Sequence, residues 1–143
     1  MMRLDIKYAD GEQEIKVCFS IRKKVFIEEQ GIPESIELDD GKIDATNICA
    51  IINNEYVGTA RYRETSKGMK LERFAVLKEY RGLGVGKGLV KFILDELKDH
   101  KTIYLHAQES VANFYSSLGF KKVNDKFFEA GIPHWKMIKN EIQ

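Results

Sequence analysis

The sequence predicts a single domain of the α+β or mixed α/β class. Short stretches in which apolar and polar residues alternate come in adjacent pairs separated by turn-forming residues, as in antiparallel hairpins. Longer segments with helical periodicity lie between these pairs, so helices are expected to cross over the sheet. The chain has 143 residues and no repeat, linker or low-complexity tract, which suits one domain with a substantial core.

The first part of the chain predicts one strand and one helix. Apolar residues alternate with charged ones over residues 4–8, and Asp10-Gly11 marks a turn. Over residues 14–30 the apolar side chains recur at steps of three and four, which is typical of an amphipathic helix. The basic run from Arg22 to Lys24 is predicted to form a mostly solvated face of this helix.

The remaining chain predicts six strands and two further helices. The strand patterns occur at 48–53, 56–62, 69–76, 102–106, 120–129 and 134–138. Asn53-Asn54 joins the first two, because asparagine tolerates left-handed backbone. Glycines from 82 to 88 precede a helix that runs to Leu97, and Ser110 and Gly119 are natural start and stop signals for another.

Composition excludes several classes of function. The hydrophobic fraction is 43%, the charged fraction is 31% and the formal net charge is +1, so no overall field favours nucleic acid or an anionic membrane. Cys18 and Cys49 lack metal-ligand spacing and are predicted to be buried free thiols in a reducing cytosol. The N-terminus lacks a signal-peptide pattern, and no apolar run approaches the roughly 20 residues that cross a bilayer. We therefore predict a cytoplasmic protein with no metal, nucleic-acid or membrane partner.

A glycine-rich loop, Arg81-Gly82-Leu83-Gly84-Val85-Gly86-Lys87-Gly88, stands between a predicted strand and a predicted helix. Glycine lets backbone N–H groups approach an anion, the helix start adds partial positive charge, and Arg81 and Lys87 offer side-chain donors. A Walker loop would need glycine at 81 and Ser or Thr at 88, and a dinucleotide GxGxxG would need glycine at 87 or 89. Both are excluded. A phosphate-binding loop of another kind remains, and the alternative is a flexible helix start.

The loop also resembles a family signature. Arg81-x-x-Gly84-x-Gly86 is similar to the (Q/R)xxGx(G/A) motif with which the GNAT superfamily of N-acetyltransferases binds the pyrophosphate of acetyl-CoA. Upstream, residues 71–76 followed by Glu79-Tyr80 resemble the family's central strand and its exit. Downstream, residues 114–120 resemble its FYxxxGF segment, so the resemblance covers nearly the whole chain in the family's usual order.

The segments 22–26, 29–33 and 131–134 resemble a bacterial branch of this superfamily, the small YjcF/ElaA-like acetyltransferases. The resemblance implies one GNAT-like domain over residues 1–143, with a mixed, mostly antiparallel sheet of about seven strands, a splayed central pair and about four flanking helices. It also implies acetyl-CoA as the co-substrate. The residues implied to bind it are Phe74, Ala75, Val76, Arg81, Gly82, Leu83, Gly84, Val85, Gly86, Lys87 and Asn113.

The chain departs from the family just before the FYxxxGF-like segment of residues 114–120. The family often has Asn and Ala where this chain has Gln108 and Val111. An amide is retained at Gln108, but Asn113 is the better candidate for contact with the pantetheine arm.

Acetyl transfer to an amine needs a base for the ammonium proton and an acid for the departing thiolate. The resemblance implies Tyr115 as the acid, and the alternative is a core tyrosine. Alternation along its strand places Glu72 on the face of Phe74 and Val76, so Glu72 is predicted to act as base or to orient a water. A substrate-binding or solvated carboxylate is the alternative for Glu72. His106 is predicted to be a hydrogen-bonded histidine at a sheet edge.

The charge pattern suggests an acceptor. Seven acidic residues accompany a single lysine between residues 28 and 44, and the resemblance makes this segment one wall of the acceptor pocket. Such a wall attracts a cationic amine. Glu29, Gln30 and His134 are the predicted substrate-binding residues, and Arg73 is predicted to face away from the pocket.

Together these observations predict an N-acetyltransferase that moves an acetyl group to the primary amine of a small molecule in a ternary complex. Two alternatives stay open, namely acetylation of protein lysines or N-termini and a sensor that binds acyl-CoA without turnover. A homodimer is compatible with the family resemblance.

Overall fold

The computed structural model describes residues 2–33, 44–100 and 102–139. The strands in these ranges are β1 (Leu4–Tyr8), β2 (Thr46–Ile52), β3 (Glu55–Thr65), β4 (Gly68–Val76), β5 (Ile103–Gln108), β6 (Phe120–Glu129) and β7 (Ile132–Lys139). The α-helices in these ranges are α1 (Gly11–Arg22), α2 (Val85–Glu96) and α3 (Ala112–Ser117). A π-helical segment (Lys23–Glu29) continues α1, and 3-10 turns span Lys78–Tyr80 and Glu109–Val111.

One seven-stranded sheet forms the centre of the molecule, in the order β1-β2-β3-β4-β5-β7-β6. The β4–β5 pair is parallel and the other neighbouring pairs are antiparallel. The β2–β3 hairpin turns at Asn53 and Asn54, whose φ angles of 48° and 70° are left-handed as predicted. The predicted α/β architecture around a mixed, mostly antiparallel sheet is confirmed.

The parallel pair separates along its length. Residues 69–71 of β4 are in register with residues 103–105 of β5. Within the described chain, β4 continues to Val76 and β5 to Gln108 without further pairing between them. The strands thus diverge and leave a gap in the middle of the sheet, which is the splayed central pair that the family resemblance implies.

A bulge in β4 lies at the start of this gap. On β3, Thr59 pairs with Ala75 and Arg61 pairs with Glu72, so the two β4 residues in between stand against a single β3 residue. The first of the two, Arg73, has a left-handed φ of 57°. An extra residue in one strand reverses which face each later side chain takes.

The bulge overturns the predicted orientation of Glu72. Simple alternation places Glu72 on the face of Phe74 and Val76, but the cross-strand register places it on the face of Ala75. Ala75 packs under the first helix, whereas Phe74 and Val76 pack against the cluster that contains α2. Glu72 therefore lies on the α1 face of the sheet.

Two apolar clusters cover the two faces of the sheet. The larger one joins α2 to the strands through Leu89 and Ile93, which are fully buried. Full burial of one such side chain stabilises the fold by roughly 2 kcal/mol. The smaller cluster packs Val25 and Phe26 on Ala75. The gap between β4 and β5 is thus enclosed by packed elements on both sides.

The first helix differs from its prediction. The sequence predicts one helix over 14–30 with Arg22 on a solvated face, but Arg22 is 1% exposed and donates from Nη2 to Asn47 Oδ1 at 2.5 Å. A buried guanidinium needs such a partner. After Arg22 the helix widens into its π-helical turn, a feature that is frequent at functional sites. The turn ends at Gln30, which lies beside the gap in the sheet.

Cys18 and Cys49 are fully buried free thiols, as predicted. In the ranges that the structure describes, no cluster of His, Cys, Asp and Glu side chains is arranged to hold a metal ion. The helices in those ranges are too short or too polar to cross a membrane.

Candidate active site

A cleft of about 840 Å³ opens where β4 and β5 diverge. Its lining comes from both faces of the sheet, because it includes the end of the first helix on one side and the starts of α2 and α3 on the other. Apolar walls carry a few polar groups, which is typical of small-molecule sites. The cleft therefore passes through the sheet at the gap.

The glycine loop forms one end of the cleft. Gly82 and Gly84 have φ angles of 80° and 85°, and no atom lies within 4 Å of the position that a Cβ would take at either. Backbone conformation, and not crowding, therefore requires glycine at both positions. The bond from Gly88 N to Gly84 O, at 2.9 Å, closes the first turn of α2. The N–H groups of residues 85–87 consequently lack partners within the helix, an arrangement suited to an anion.

Gly88 has a different role from the glycines of the loop. A Cβ at Gly88 would lie 2.7 Å from Ile6 Cδ1, so the missing side chain lets α2 pack closely on β1. The glycine-rich run thus serves two purposes, since its first part shapes the loop and its last residue permits helix–sheet contact.

Most of the predicted cofactor residues line the cleft. Those that do are Phe74, Ala75, Val76, Arg81, Gly82, Gly84, Val85, Gly86 and Lys87. Leu83 and Asn113 do not line it, because Leu83 is 44% exposed and Asn113 lies on the solvent side of α3. Phe114 takes the place predicted for Asn113, and its Cζ would be 3.6 Å from a Cβ at Gly86.

Arg81 is held on the outside of the loop. Its Nη1 and Nη2 donate to the two carboxylate oxygens of Glu29 at 2.6 and 2.7 Å, and its Nε donates to Val76 O at 3.0 Å. Hydrogen bonds from Arg81 hold the pKa of the Glu29 carboxyl below its ordinary value. Glu29, a predicted substrate-binding residue, therefore engages Arg81 and does not line the cleft. Gln30 does line it and accepts a hydrogen bond from Gln108 Nε2 at 3.0 Å.

Tyr115 is buried in the cleft wall among aromatic rings. Tyr115 is 7% exposed. Its ring centroid lies 5.8 Å from the ring centroid of Phe74, 5.1 Å from that of Phe114 and 6.0 Å from that of Phe120. Burial raises the pKa of the Tyr115 phenol. The phenol is therefore protonated at neutral pH, as a proton donor must be.

Glu72 lies among cations on the other face of the sheet. Arg61 Nε donates to its Oε2 at 2.5 Å, Arg63 Nε donates to the same oxygen at 3.0 Å, and Lys70 Nζ lies 3.5 Å from Oε1. Burial alone would raise the pKa of the Glu72 carboxyl, but these three cations outweigh it and lower the pKa. A carboxylate stabilised in this way is a weak base.

The three cations around Glu72 are not among the predicted site residues. A signal was present, because Arg61 and Arg63 are two residues apart on one strand and Lys70 and Glu72 are two residues apart on the next. Side chains two apart on a strand share a face. Pairing the two strands in register would have grouped all four.

Two histidines line the cleft. His134 is 7% exposed, with Nδ1 2.8 Å from Ile132 O, and its ring stacks on Phe127 at 5.7 Å. His106 was predicted at a sheet edge, but β5 lies between β4 and β7. Its buried Nδ1 has no hydrogen-bond partner in the described part of the chain. Burial, assisted by Lys70, lowers the pKa of His106 to about 4.

The charge that lines the cleft differs from the predicted acidic wall. Of the seven acidic residues expected there, Glu34, Glu37, Asp39 and Asp40 lie outside the described residues, and Glu28, Glu29 and Asp44 do not line the cleft. Cationic residues do line it, namely Arg61, Arg63, Lys70, Arg73, Arg81 and Lys87. Arg73 was predicted to face away, and the bulge brings it into the lining.

Comparison with known proteins agrees with this geometry. The model of the acetyltransferase (GNAT) domain family matches residues 11–141. The N-acetyltransferase YjcF of Bacillus subtilis is 33% identical over 135 residues, which cover 92% of this chain and 96% of YjcF.

Solved structures have the same fold. The crystal structure of Escherichia coli ElaA has a TM-score of 0.82 at 29% identity and covers 98% of this chain and 100% of that one. An aminoglycoside 6'-N-acetyltransferase complexed with coenzyme A has a TM-score of 0.77 at 18% identity, covering 97% of this chain and 98% of that one. With a family match over most of its length, the chain belongs to the GNAT family of acetyltransferases, close to YjcF and ElaA.

Proposed function

We propose that the chain is an acetyl-CoA-dependent N-acetyltransferase that acts on the primary amine of a small molecule by direct transfer in a ternary complex. The cleft through the gap between β4 and β5 is the observation that supports this proposal most strongly. The glycine loop lies at one end of this cleft, and polar and charged side chains line it on the α1 face of the sheet. A thioester that reaches into the gap from the loop would meet an amine that arrives from the α1 face.

The residues present suit acetyl-CoA. The unpaired N–H groups at the start of α2 and the side chain of Lys87 fit a pyrophosphate. In the described part of the chain, the edge of β4 from Phe74 to Val76 is not paired with β5. Backbone groups on that edge can therefore bond the amides of an extended pantetheine arm.

The transfer itself requires two proton movements. The amine nitrogen attacks the thioester carbonyl carbon, a C–N bond forms and the C–S bond breaks. Tyr115 donates its phenolic proton to the departing thiolate and later recovers a proton from solvent. The proton that the amine loses must pass to a base on the acceptor side.

His134 is the group we propose as that base, in place of Glu72. An imidazole whose Nδ1–H donates to Ile132 O has its lone pair at Nε2, and this tautomer is assigned from the 2.8 Å contact. Glu129 Oε2 lies 3.8 Å from Nε2 and stabilises the imidazolium that forms. Glu72 is proposed to act instead as a positioning residue for the cations around it.

The proposal is tested by following thiol release from acetyl-CoA with a panel of small primary amines and lysine-containing peptides. We expect turnover with small amines and little with peptides. Thiol release with peptides alone would favour protein acetylation, and binding of acetyl-CoA without turnover of any acceptor would favour a sensor.

The assignment of the base is tested with His134→Ala. We expect kcat to fall about 100-fold, within the usual contribution of a general base, and added imidazole to restore part of it. Glu72→Gln should not respond to imidazole. An unchanged kcat in His134→Ala would exclude His134 as the base.

A further inference from the structure

Three cations surround one carboxylate on the α1 face of the cleft. The side chains of Arg61, Arg63 and Lys70 are 2%, 27% and 16% exposed, and that of Glu72 is 7% exposed. Arg61 and Glu72 form the buried centre of this group, while Arg63 and Lys70 stand at its rim. We call these four residues the cationic cluster.

The cationic cluster has more positive than negative charge. Within these four described residues, one carboxylate faces three cations, so the cluster has two more positive than negative charges, and its side chains are largely buried. Among the described residues, the other carboxylate in the cleft lining belongs to Glu129, whose Oε2 lies 3.8 Å from Nε2 of His134. Cations that are partly removed from water are favourable sites for a ligand anion.

The surplus charge is not placed to bind the phosphates of acetyl-CoA. The glycine loop follows the last residue of β4, Val76, whereas Lys70 is six residues earlier on that strand. At roughly 3.3 Å per residue, the two points are about 20 Å apart along β4. The cationic cluster also lies on the face of Ala75, opposite to the face against which α2 packs.

We propose that the acceptor is an amine that also bears an anionic group, a carboxylate, phosphonate or phosphate, and that Arg63 and Lys70 bind this group. The proposal rests on the proposed acetyltransferase function and specifies the class of acceptor. Arg63 supplies a planar fork suited to two oxygens of such a group, and Lys70 supplies a compact charge beside it. Glu72 keeps both side chains directed into the cleft.

The test compares matched acceptors that differ in the anion. β-Alanine is compared with β-alaninamide, and 2-aminoethyl phosphate with ethanolamine, and kcat/KM is measured for each at saturating acetyl-CoA. We expect at least a tenfold preference for the anionic member of one or both pairs. The pair with the larger preference distinguishes a carboxylate acceptor from a phosphate acceptor. Equal or better turnover of the neutral members would overturn the inference and leave the acetyltransferase function intact.

Variants assign the preference to the cationic cluster. Arg63→Gln and Lys70→Gln should each raise KM for the anionic acceptor at least tenfold and leave KM for acetyl-CoA unchanged. Arg63→Lys should keep only part of the preference, because lysine retains the charge and loses the planar fork. Arg3→Gln, at an exposed arginine just before β1, is the matched control. A preference that survives in both Gln variants would contradict the assignment.

Binding is measured without turnover as well. With coenzyme A present, calorimetry should detect the anionic acceptor and not its neutral partner, and Arg63→Gln should abolish this binding. If no amine in the panel is acetylated, the proposed function fails while this titration still decides the inference. Absence of selective binding by the wild-type protein would overturn it.

Discussion

At the scale of single residues, Tyr115 and Glu72 are both buried titratable groups in the same cleft, yet their surroundings differ. Aromatic rings surround the phenol of Tyr115, and burial raises its pKa. Cations surround the carboxylate of Glu72, and they lower its pKa despite burial. The same loss of water therefore keeps one group protonated and leaves the other ionised. Tyr115 therefore holds a proton at neutral pH, and Glu72 holds a negative charge that can anchor arginine and lysine.

Replacement of Tyr115 by Phe tests the acid. Loss of the phenolic proton should lower kcat at least about tenfold, because the thiolate leaves unprotonated, while the Kd of acetyl-CoA changes little. Steady-state kinetics and calorimetry measure the two quantities. Tyr104→Phe is the matched control, since this buried tyrosine bonds Thr65 outside the cleft lining. The same kcat in Tyr115→Phe and wild type would remove the acid role.

At the scale of elements, the cleft depends on three irregularities. The π-helical turn ends the first helix at Gln30, the bulge at Arg73 changes the faces of β4, and the loop from Arg81 to Lys87 turns through left-handed glycines. Each one interrupts a regular hydrogen-bond pattern at the edge of the cleft. Regular elements would have kept β4 and β5 paired or turned their polar side chains elsewhere.

Replacement of Gly84 by Glu tests the loop. A carboxylate at the start of α2 should repel the pyrophosphate and weaken acetyl-CoA binding at least 100-fold, as measured by calorimetry. Gly11→Glu is the control, because Gly11 also has a left-handed φ of 76° with open space around it. That variant has similar backbone strain outside the cleft and should bind normally. Retained binding by Gly84→Glu would exclude the loop as the phosphate site.

At the scale of the whole molecule, local charge and overall charge are unrelated. The chain has a formal net charge of +1, yet the cleft has a cationic lining on both faces of the sheet. The sheet produces this cationic lining, because β3, β4 and β5 place side chains from distant parts of the chain around one gap. Burial of these groups makes the stability of the fold depend on pH.

His106 should make the fold less stable in mild acid. Its pKa is about 4 in the folded chain and ordinarily 6.5, so the unfolded chain binds more protons between these values, and stability falls as pH falls through that window. Because His106 is partly exposed, we expect the free energy of unfolding to fall by only about 1–2 kcal/mol between pH 7.5 and 5. Urea unfolding measures it. His106→Phe, which keeps the ring contact with Phe127, should lack this part of the loss. An identical pH dependence in both proteins would contradict the assignment.

Local signals in the chain were enough to predict the order of the elements, the mixed sheet and the loop that identifies the family. Those features depend on short-range signals, since apolar period, turn asparagines and glycine spacing act within a few residues of each other. Most of the loop residues and the tyrosine of the FYxxxGF segment accordingly line the cleft.

The arrangement of charged side chains on the α1 face of the cleft depends on long-range packing and could not be predicted from local signals. One extra residue at Arg73 reversed the face of Glu72, and the register of β3 on β4 then surrounded it with cations. Glu29 likewise forms an ion pair with Arg81, which is 52 residues away in sequence. Cross-strand register and long-range pairing are set by the packing of the whole sheet, and no local pattern in the chain encodes them.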